Sequence, residues 1–207
     1  LEELINILAS AIGSLTNVPK IESTFRSVLR SKISGNTIRQ YIEYLEDAFI
    51  IHKANRYNVK GRKYIGTPVK YYFEDVGLRN ARLGFRQVEE THLMENIIYN
   101  ELRSRSYAVD VGIVEKRTKD AEGKAERKQL EIDFIANKGS QRYYIQSAFA
   151  MPDEKKREQE KMSLLQVRDS FKKIIVVKDI VNVTRDENGI TTMSVYDFLL
   201  KDNSLEL

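Results

Sequence analysis

At 207 residues, with 42% hydrophobic and 31% charged side chains, the chain can bury a core and is too apolar to be disordered. The absence of cysteine and the presence of only two histidines exclude disulfides and thiolate metal sites and argue against a histidine-rich zinc site. No apolar run approaches the ~18 residues that span a bilayer, so a cytoplasmic protein without a membrane partner is expected.

The net charge of +4 is unevenly spread. Residues 1–88 carry 14 Lys and Arg against 8 Asp and Glu, whereas residues 89–207 carry 20 against 22.

In chain order, Leu4, Leu8, Ile12 and Leu15 recur at helical spacing, and Gly13 with Asn17-Val18-Pro19 ends that run. Glu2 and Glu3 inside it indicate an amphipathic helix and not a signal peptide. Because the sequence opens within a helical pattern and lacks a methionine there, it reads as a piece of a longer protein. Ile21, Phe25, Val28 and Leu29 mark a second helix. Ser34-Gly35-Asn36 offers N-cap chemistry for a third, with Ile38, Ile42, Leu45 and Phe49 on its apolar face. A β-leaning run at 50–54, a basic turn at 59–63 and a second strand at 69–73 follow. Three helices and a hairpin are the outline of a winged helix, and the segment 74–82 is expected to be a linker. Beyond it the pattern gives a helix over 89–106 and strands over 107–116, 130–136 and 143–149. A polar, mobile hairpin loop is expected at 117–128. A charged helix over 153–167, a strand over 173–178, a turn at 186–189 and a closing segment at 194–200 complete the order. The predicted fold class is mixed α/β: a winged-helix-like domain over 1–88, then an α/β domain with a mixed central sheet over 89–207.

The basic character is densest where Lys53, Arg56, Lys60, Arg62, Lys63 and Lys70 occur with no acid between them. A field of one sign suits phosphate or another anion, and a solvated loop is the plainer alternative. In a helix-turn-helix the third helix would enter the major groove and the wing would touch phosphates. The exposed face of that helix would present Arg39 and Gln40, both good readers of base edges, beside Glu43 and Asp47, which repel phosphate. Candidate contacts to double-stranded DNA are therefore Arg39, Gln40, Lys60, Arg62 and Lys63. Tyr71-Tyr72 and Tyr143-Tyr144 offer rings for base stacking, but in a strand one of each pair is expected in the core and the other at the surface. His52 and His92 lack a partner at ligand spacing and are read as structural.

Leu130-Glu131-Ile132-Asp133-Phe134-Ile135-Ala136, followed by Arg142-Tyr143-Tyr144-Ile145-Gln146-Ser147-Ala148, resembles the active-site strands of metal-dependent nucleases of the PD-(D/E)xK type. In that pattern the second strand supplies Glu-x-Lys, and here it reads Gln-Ser-Ala. Across 34–200, the runs SGNTIRQYIEYLEDAFII, KYYFEDVGLRNA, HLMENIIYNELRSRSYAVDVG and GITTMSVYDFLL resemble a bacterial and archaeal domain of unknown function. That domain stands at the C-terminal end of predicted AAA-type ATPases. The resemblance implies a winged helix joined to a restriction-endonuclease-like domain, with an upstream ATPase domain of the same chain that would bind ATP. The present sequence contains no GxxxxGK[ST] phosphate loop.

A nuclease of this type holds Mg²⁺ on carboxylates, and the metal activates water and neutralises phosphate charge. The corresponding positions are Glu95, Asp133 and Gln146, with Glu95 and Asp133 as metal ligands. Gln146 brings no charge and Ala148 replaces the lysine, so a degenerate site without cofactor is expected. The leading expectation is a non-catalytic module that engages DNA or a protein partner. One alternative is a Mg²⁺-dependent nuclease, and another is a protein-interaction module without affinity for nucleic acid.

Overall fold

The helical periodicity at the start of the chain becomes three helices in a computed structural model that describes residues 1–86, 89–119, 123 and 125–207, with the side chains of residues 118, 119 and 125 not described. Helix α1 (Glu2–Ser10) buries Leu4 and Leu8 and stops before Ile12 and Leu15, a turn earlier than the apolar spacing suggests. The Asn17 side chain caps α2 (Val18–Ser27) by accepting the Lys20 N–H, and Ile21 and Phe25 face inward. Ser34 caps α3 (Gly35–Asp47) in the same way through the Thr37 N–H, and Ile38, Ile42 and Leu45 are buried. Two residues expected on apolar helical faces point outward: Val28 and Phe49 are each 70% exposed. Both lie past their helix ends. Phe49 takes a φ of 55°, so the chain reverses there and carries its ring away from the Ile38–Leu45 stripe.

Strands β1 (Ile51–Asn58) and β2 (Lys63–Phe73) come next, longer than the apolar runs that predicted them. The expected linker is in fact a helix, α4 (Val76–Arg82), started by Asp75 accepting the Leu78 N–H at 2.8 Å. Its Arg79 is 1% exposed and donates to the Ala9 carbonyl at 2.8 Å, an internal tie where a solvated linker residue was expected. Helix α5 (Glu90–Ser104) places Asn96 beside β2. There the Asn96 amide accepts the Phe73 N–H and donates to the Phe73 carbonyl, a side chain completing a backbone ladder.

The remaining elements are β3 (Ala108–Lys119), β4 (Ala125–Lys138), β5 (Gln141–Ala148), α6 (Glu154–Leu164), β6 (Lys172–Val177), β7 (Thr184–Arg185), β8 (Ile190–Ser194) and α7 (Val195–Leu200). Part of the loop expected at 117–128 lies outside the described residues; the flanks 117–119 and 125–128 are strand. The sheet has the order β2-β1-β3-β4-β5-β6-β8-β7 and is mixed. The β3-β4-β5 steps are antiparallel, and β1-β3, β5-β6 and β6-β8 are parallel. The protein is therefore mixed α/β, built on an eight-stranded mixed sheet.

By contacts the chain forms two units, Leu1–Asn55 with Gly66–Asn100, and Arg56–Ile65 with Glu101–Leu207. The expected division at 88/89 adjoins residues 87 and 88, which are outside the described residues. In the second unit, Ile132, Ile135, Tyr144, Leu164, Val167 and Ile175 belong to one buried cluster that includes residues of the sheet and of α6. The turn between β1 and β2 also belongs to this unit: Arg56, Tyr57 and Asn58 pair in parallel with Val111, Gly112 and Ile113. The outer end of the expected wing is thus sheet, because its backbone groups are satisfied by β3.

Candidate functional site

A cleft of about 930 Å³ opens in the second unit, near the upper end of the ~300–1,000 Å³ typical of ligand sites. Its walls come from the β1–β2 turn, from β3, from the β4–β5 turn and from the loop that follows α6. Each segment contributes cations: Lys60 and Arg62, then Arg117, Arg142 and Arg168. The turn is fixed by Asn58, whose side-chain oxygen accepts the Gly61 N–H at 2.6 Å, and Arg62 sits at a φ of 50°. A non-glycine residue in that left-handed region carries strain, which the Asn58 bond helps to hold.

The acids in the cleft are already engaged. The Asp169 carboxylate accepts the Tyr144 hydroxyl at 2.7 Å and the Phe171 N–H at 3.2 Å. Burial, reinforced by this Asp169 bond, pushes the Tyr144 phenol well above its usual range, so it stays a donor. Glu115 lies 3.9 Å from Arg127. Among the described residues, Lys60, Arg62, Arg117 and Arg168 have no ion-pair partner, so the cleft presents a net positive, solvent-facing surface.

Arg142 differs from the others. Its guanidinium lies over Tyr57 at 5.7 Å and over Phe171 at 5.5 Å, and its Nε donates to Asn137 at 2.7 Å. These are cation–π distances, and the asparagine bond fixes the plane of the fork.

The residues singled out from the sequence divide as follows. Lys60 and Arg62 line the cleft, and Lys63 stands exposed where β2 begins. Arg39 and Gln40 are exposed on α3 in the first unit, where Arg39 donates to Asn36 at 2.6 Å and Gln40 to the Tyr44 hydroxyl at 2.7 Å. The basic run is less uniform than its sequence. Lys70 is 3% exposed and paired with Glu95 at 2.8 Å, Arg56 is buried, and Lys53 lies 3.8 Å from Glu46. Lys70 and Arg56 therefore drop out of the anion-facing surface.

Asp133 and Gln146 fall on neighbouring strands. The Asp133 carboxylate is buried and accepts the Ser147 N–H at 2.7 Å, and the Gln146 carbonyl oxygen is 3.4 Å from the Ser163 hydroxyl. Glu95 belongs to the first unit, where its Oε1 accepts from Lys70 and, at 2.5 Å, from the Tyr72 hydroxyl. Mg²⁺ asks for several hard oxygen ligands in near-octahedral array. Among the described residues no group of three or more His, Cys, Asp or Glu could hold a metal ion.

All four tyrosines of the paired motifs are buried, Tyr71 and Tyr143 at 7% and Tyr72 and Tyr144 at 0% exposure, so none is a surface stacker. Both faces of their strands are covered. Tyr143 meets Tyr107 edge-on at 5.8 Å while Tyr144 sits in the core, and Tyr72 stacks on Tyr99 at 4.2 Å. The rings that line the cleft, half-buried Tyr57 and exposed Phe171, lie far apart in the sequence, as do Arg117 and Arg168. Only the sheet order gathers them, and no local pattern marks them in advance.

A mixed α/β sheet with a basic, aromatic-walled cleft is the class this geometry defines. Residues 1–89 match a family model described as Domain of unknown function (DUF8612). The chain is 35% identical over 201 residues to an uncharacterized protein of Haemophilus influenzae, covering 97% of this chain and 46% of that one. It is 24% identical over 205 residues to an uncharacterized protein of Methanocaldococcus jannaschii, covering 98% and 41% respectively. The chain thus spans less than half the length of these curated relatives. No solved structure matches it. Among the described residues no helix is long and apolar enough to cross a membrane.

Proposed function

We propose that this chain is the nucleic-acid-engaging, non-cleaving C-terminal region of a cytoplasmic AAA-type ATPase. The observation that carries the reading is the cleft, where the cations Lys60, Arg62, Arg117, Arg142 and Arg168 from four separate segments outnumber the acids Glu115 and Asp169. Such a surface costs self-repulsion and is relieved by a polyanion. The order of three helices followed by β1 and β2, strands whose helix-proximal parts belong to the first unit, supports a winged-helix-like module. In the second, three antiparallel strands, a helix and a parallel strand support a nuclease-like scaffold. Bacterial and archaeal relatives more than twice as long leave room for an ATPase domain elsewhere in the full protein. The missing charge at Gln146 and the backbone bond on Asp133 support engagement without cleavage.

The test is fluorescence anisotropy of labelled DNA, duplex and single-stranded, at ~50 and ~200 mM salt, with Mg²⁺ and gel analysis of the DNA afterwards. Binding that weakens steeply with salt and leaves the DNA intact is expected. No binding at ~50 mM salt overturns the reading, and cleavage abolished by Asp133→Ala overturns its non-catalytic half.

A further inference from the structure

We infer that the ligand of the cleft is single-stranded nucleic acid, held by base stacking on the wall formed by Tyr57, Arg142 and Phe171 while its phosphates meet Lys60, Arg62 and Arg117. The inference rests on the nucleic-acid reading above and specifies the form of the ligand.

Shape comes first. Proteins that read duplex DNA insert a helix or ribbon into a major groove about 12 Å wide, so their recognition surface is convex. Here the cations line a concavity of about 930 Å³, a size suited to a few nucleotides and not to a double helix.

The wall is the second observation. Phe171 is 39% exposed and Tyr64 is 64% exposed, large rings left open to solvent beside a charged cleft. Tyr64 meets Tyr57 edge-on at 5.3 Å, and Arg142 bridges Tyr57 and Phe171. The result is a row of flat groups, Tyr64, Tyr57, Arg142 and Phe171, in which one guanidinium joins three rings. Single-strand binders use such rows because every base has a face that stacks, whatever its edge. Tyr64 is also held in place, its hydroxyl donating to Asp110 at 3.1 Å.

A third observation extends the path beyond the cleft. On the β3–β4 ribbon, Lys116 stands opposite Lys128 and Arg117 opposite Arg127. Like charges directly opposite one another destabilise a strand pair. Since Arg117 also lines the cleft, a strand leaving it would run onto this ribbon, where its phosphates separate the like charges.

The experiment compares labelled 12-nucleotide dT and rU strands, a 12-base-pair duplex and unlabelled mononucleotide competitors against the intact chain and two variants, Phe171→Ala and Phe171→Tyr. Thermal melts check that both variants fold. The single strands are expected to bind at least about ten-fold tighter than the duplex. Phe171→Ala should weaken strand binding by about 5- to 150-fold, the loss of one stacked base, and Phe171→Tyr should restore it. Equal binding of duplex and strand with Phe171→Ala neutral overturns this inference and leaves the nucleic-acid reading standing. A mononucleotide that competes as well as the 12-mer overturns it in favour of a nucleotide pocket. No binding of any nucleic acid overturns both.

Discussion

Glu95 separates a structural from a catalytic account of the acids in this chain, and its replacement by glutamine is the sharpest perturbation. Its carboxylate is 8% exposed and accepts from Lys70, itself 3% exposed, at 2.8 Å. Glutamine keeps the shape and an acceptor for the Tyr72 hydroxyl, so the change isolates the charge. Removing one partner from a buried pair leaves the other charge uncompensated, which costs ~3–5 kcal/mol. For a protein of this size that corresponds to a drop of about 6–20 °C in Tm. The double variant Lys70→Met with Glu95→Gln should recover most of the loss, because a buried pair replaced by neutral groups is often no worse than the original. Scanning calorimetry at pH 7 on the single variants and the double variant gives every quantity needed. A cost below ~1 kcal/mol for Glu95→Gln, or a double variant as poor as the sum of its parts, refutes the pairing argument.

Three further outcomes test other parts of the molecule. With Lys60, Arg62 and Arg117 on phosphates, affinity for single strands should fall about 18-fold between ~50 and ~200 mM salt, and Lys60→Ala with Arg62→Ala should reduce that to about 3-fold, following ~0.7 per phosphate contact; an unchanged slope removes the β1–β2 turn from the interface. Burial pushes the Asp110 carboxyl above its usual range, against the Tyr64 bond and the Arg142 charge. Folding therefore favours its protonated form, a contribution present below the unfolded pKa and lost as pH rises through the folded one. Asp110→Asn should raise Tm at pH 7 with the gain fading toward ~3.9 and below, and a gain independent of pH refutes this. At the irregularity where β3 shifts register, a Cβ on Gly112 would meet the Ile132 Cβ at 2.9 Å and the Ile135 side chain at 3.0 Å. Gly112→Ala should therefore cost ~1–3 kcal/mol by overpacking, read as a lower midpoint in urea, and a midpoint unchanged from the parent refutes the close approach.

Much of the fold was legible because its signals are local. The cap Ser34, the stripe Ile38-Ile42-Leu45 and the apolar run around Asp133 each need only neighbours in sequence. What stayed hidden depends on partners far along the chain. Helix α4 has a short polar sequence interrupted by Gly77, and its order comes from Asp75 and from Arg79 bonding Ala9. Strand β8 is a five-residue run that follows a turn closely, and its pairing with β6 is what makes it a strand. The basic run misled because sequence cannot show that Lys70 faces Glu95 and Lys60 faces solvent; side chains on one strand differ in fate by face and by depth. The cleft is the extreme case, with contributors from Tyr57 to Phe171 that only the strand order assembles.

The buried acid on β4 has a use that involves no metal. Asp133 accepts the Ser147 N–H, so it ties its own strand to the outer part of β5, beyond Phe134↔Ile145 at the end of the paired register. A buried N–H left without that acceptor would cost ~1–3 kcal/mol. Gln146, one residue earlier, reaches toward Ser163 on α6, which links the same strand end to the helix above it. The Asp133 carboxylate thus serves the sheet as an acceptor, and the neutral Gln146 amide serves the helix as a hydrogen-bond partner. On this argument Asp133→Asn, which keeps the acceptor, should leave stability and nucleic-acid binding nearly unchanged, whereas Asp133→Ala should destabilise the second unit without altering the salt slope. Loss of a nucleolytic activity in Asp133→Asn, with its stability intact, would show that the acid serves chemistry after all.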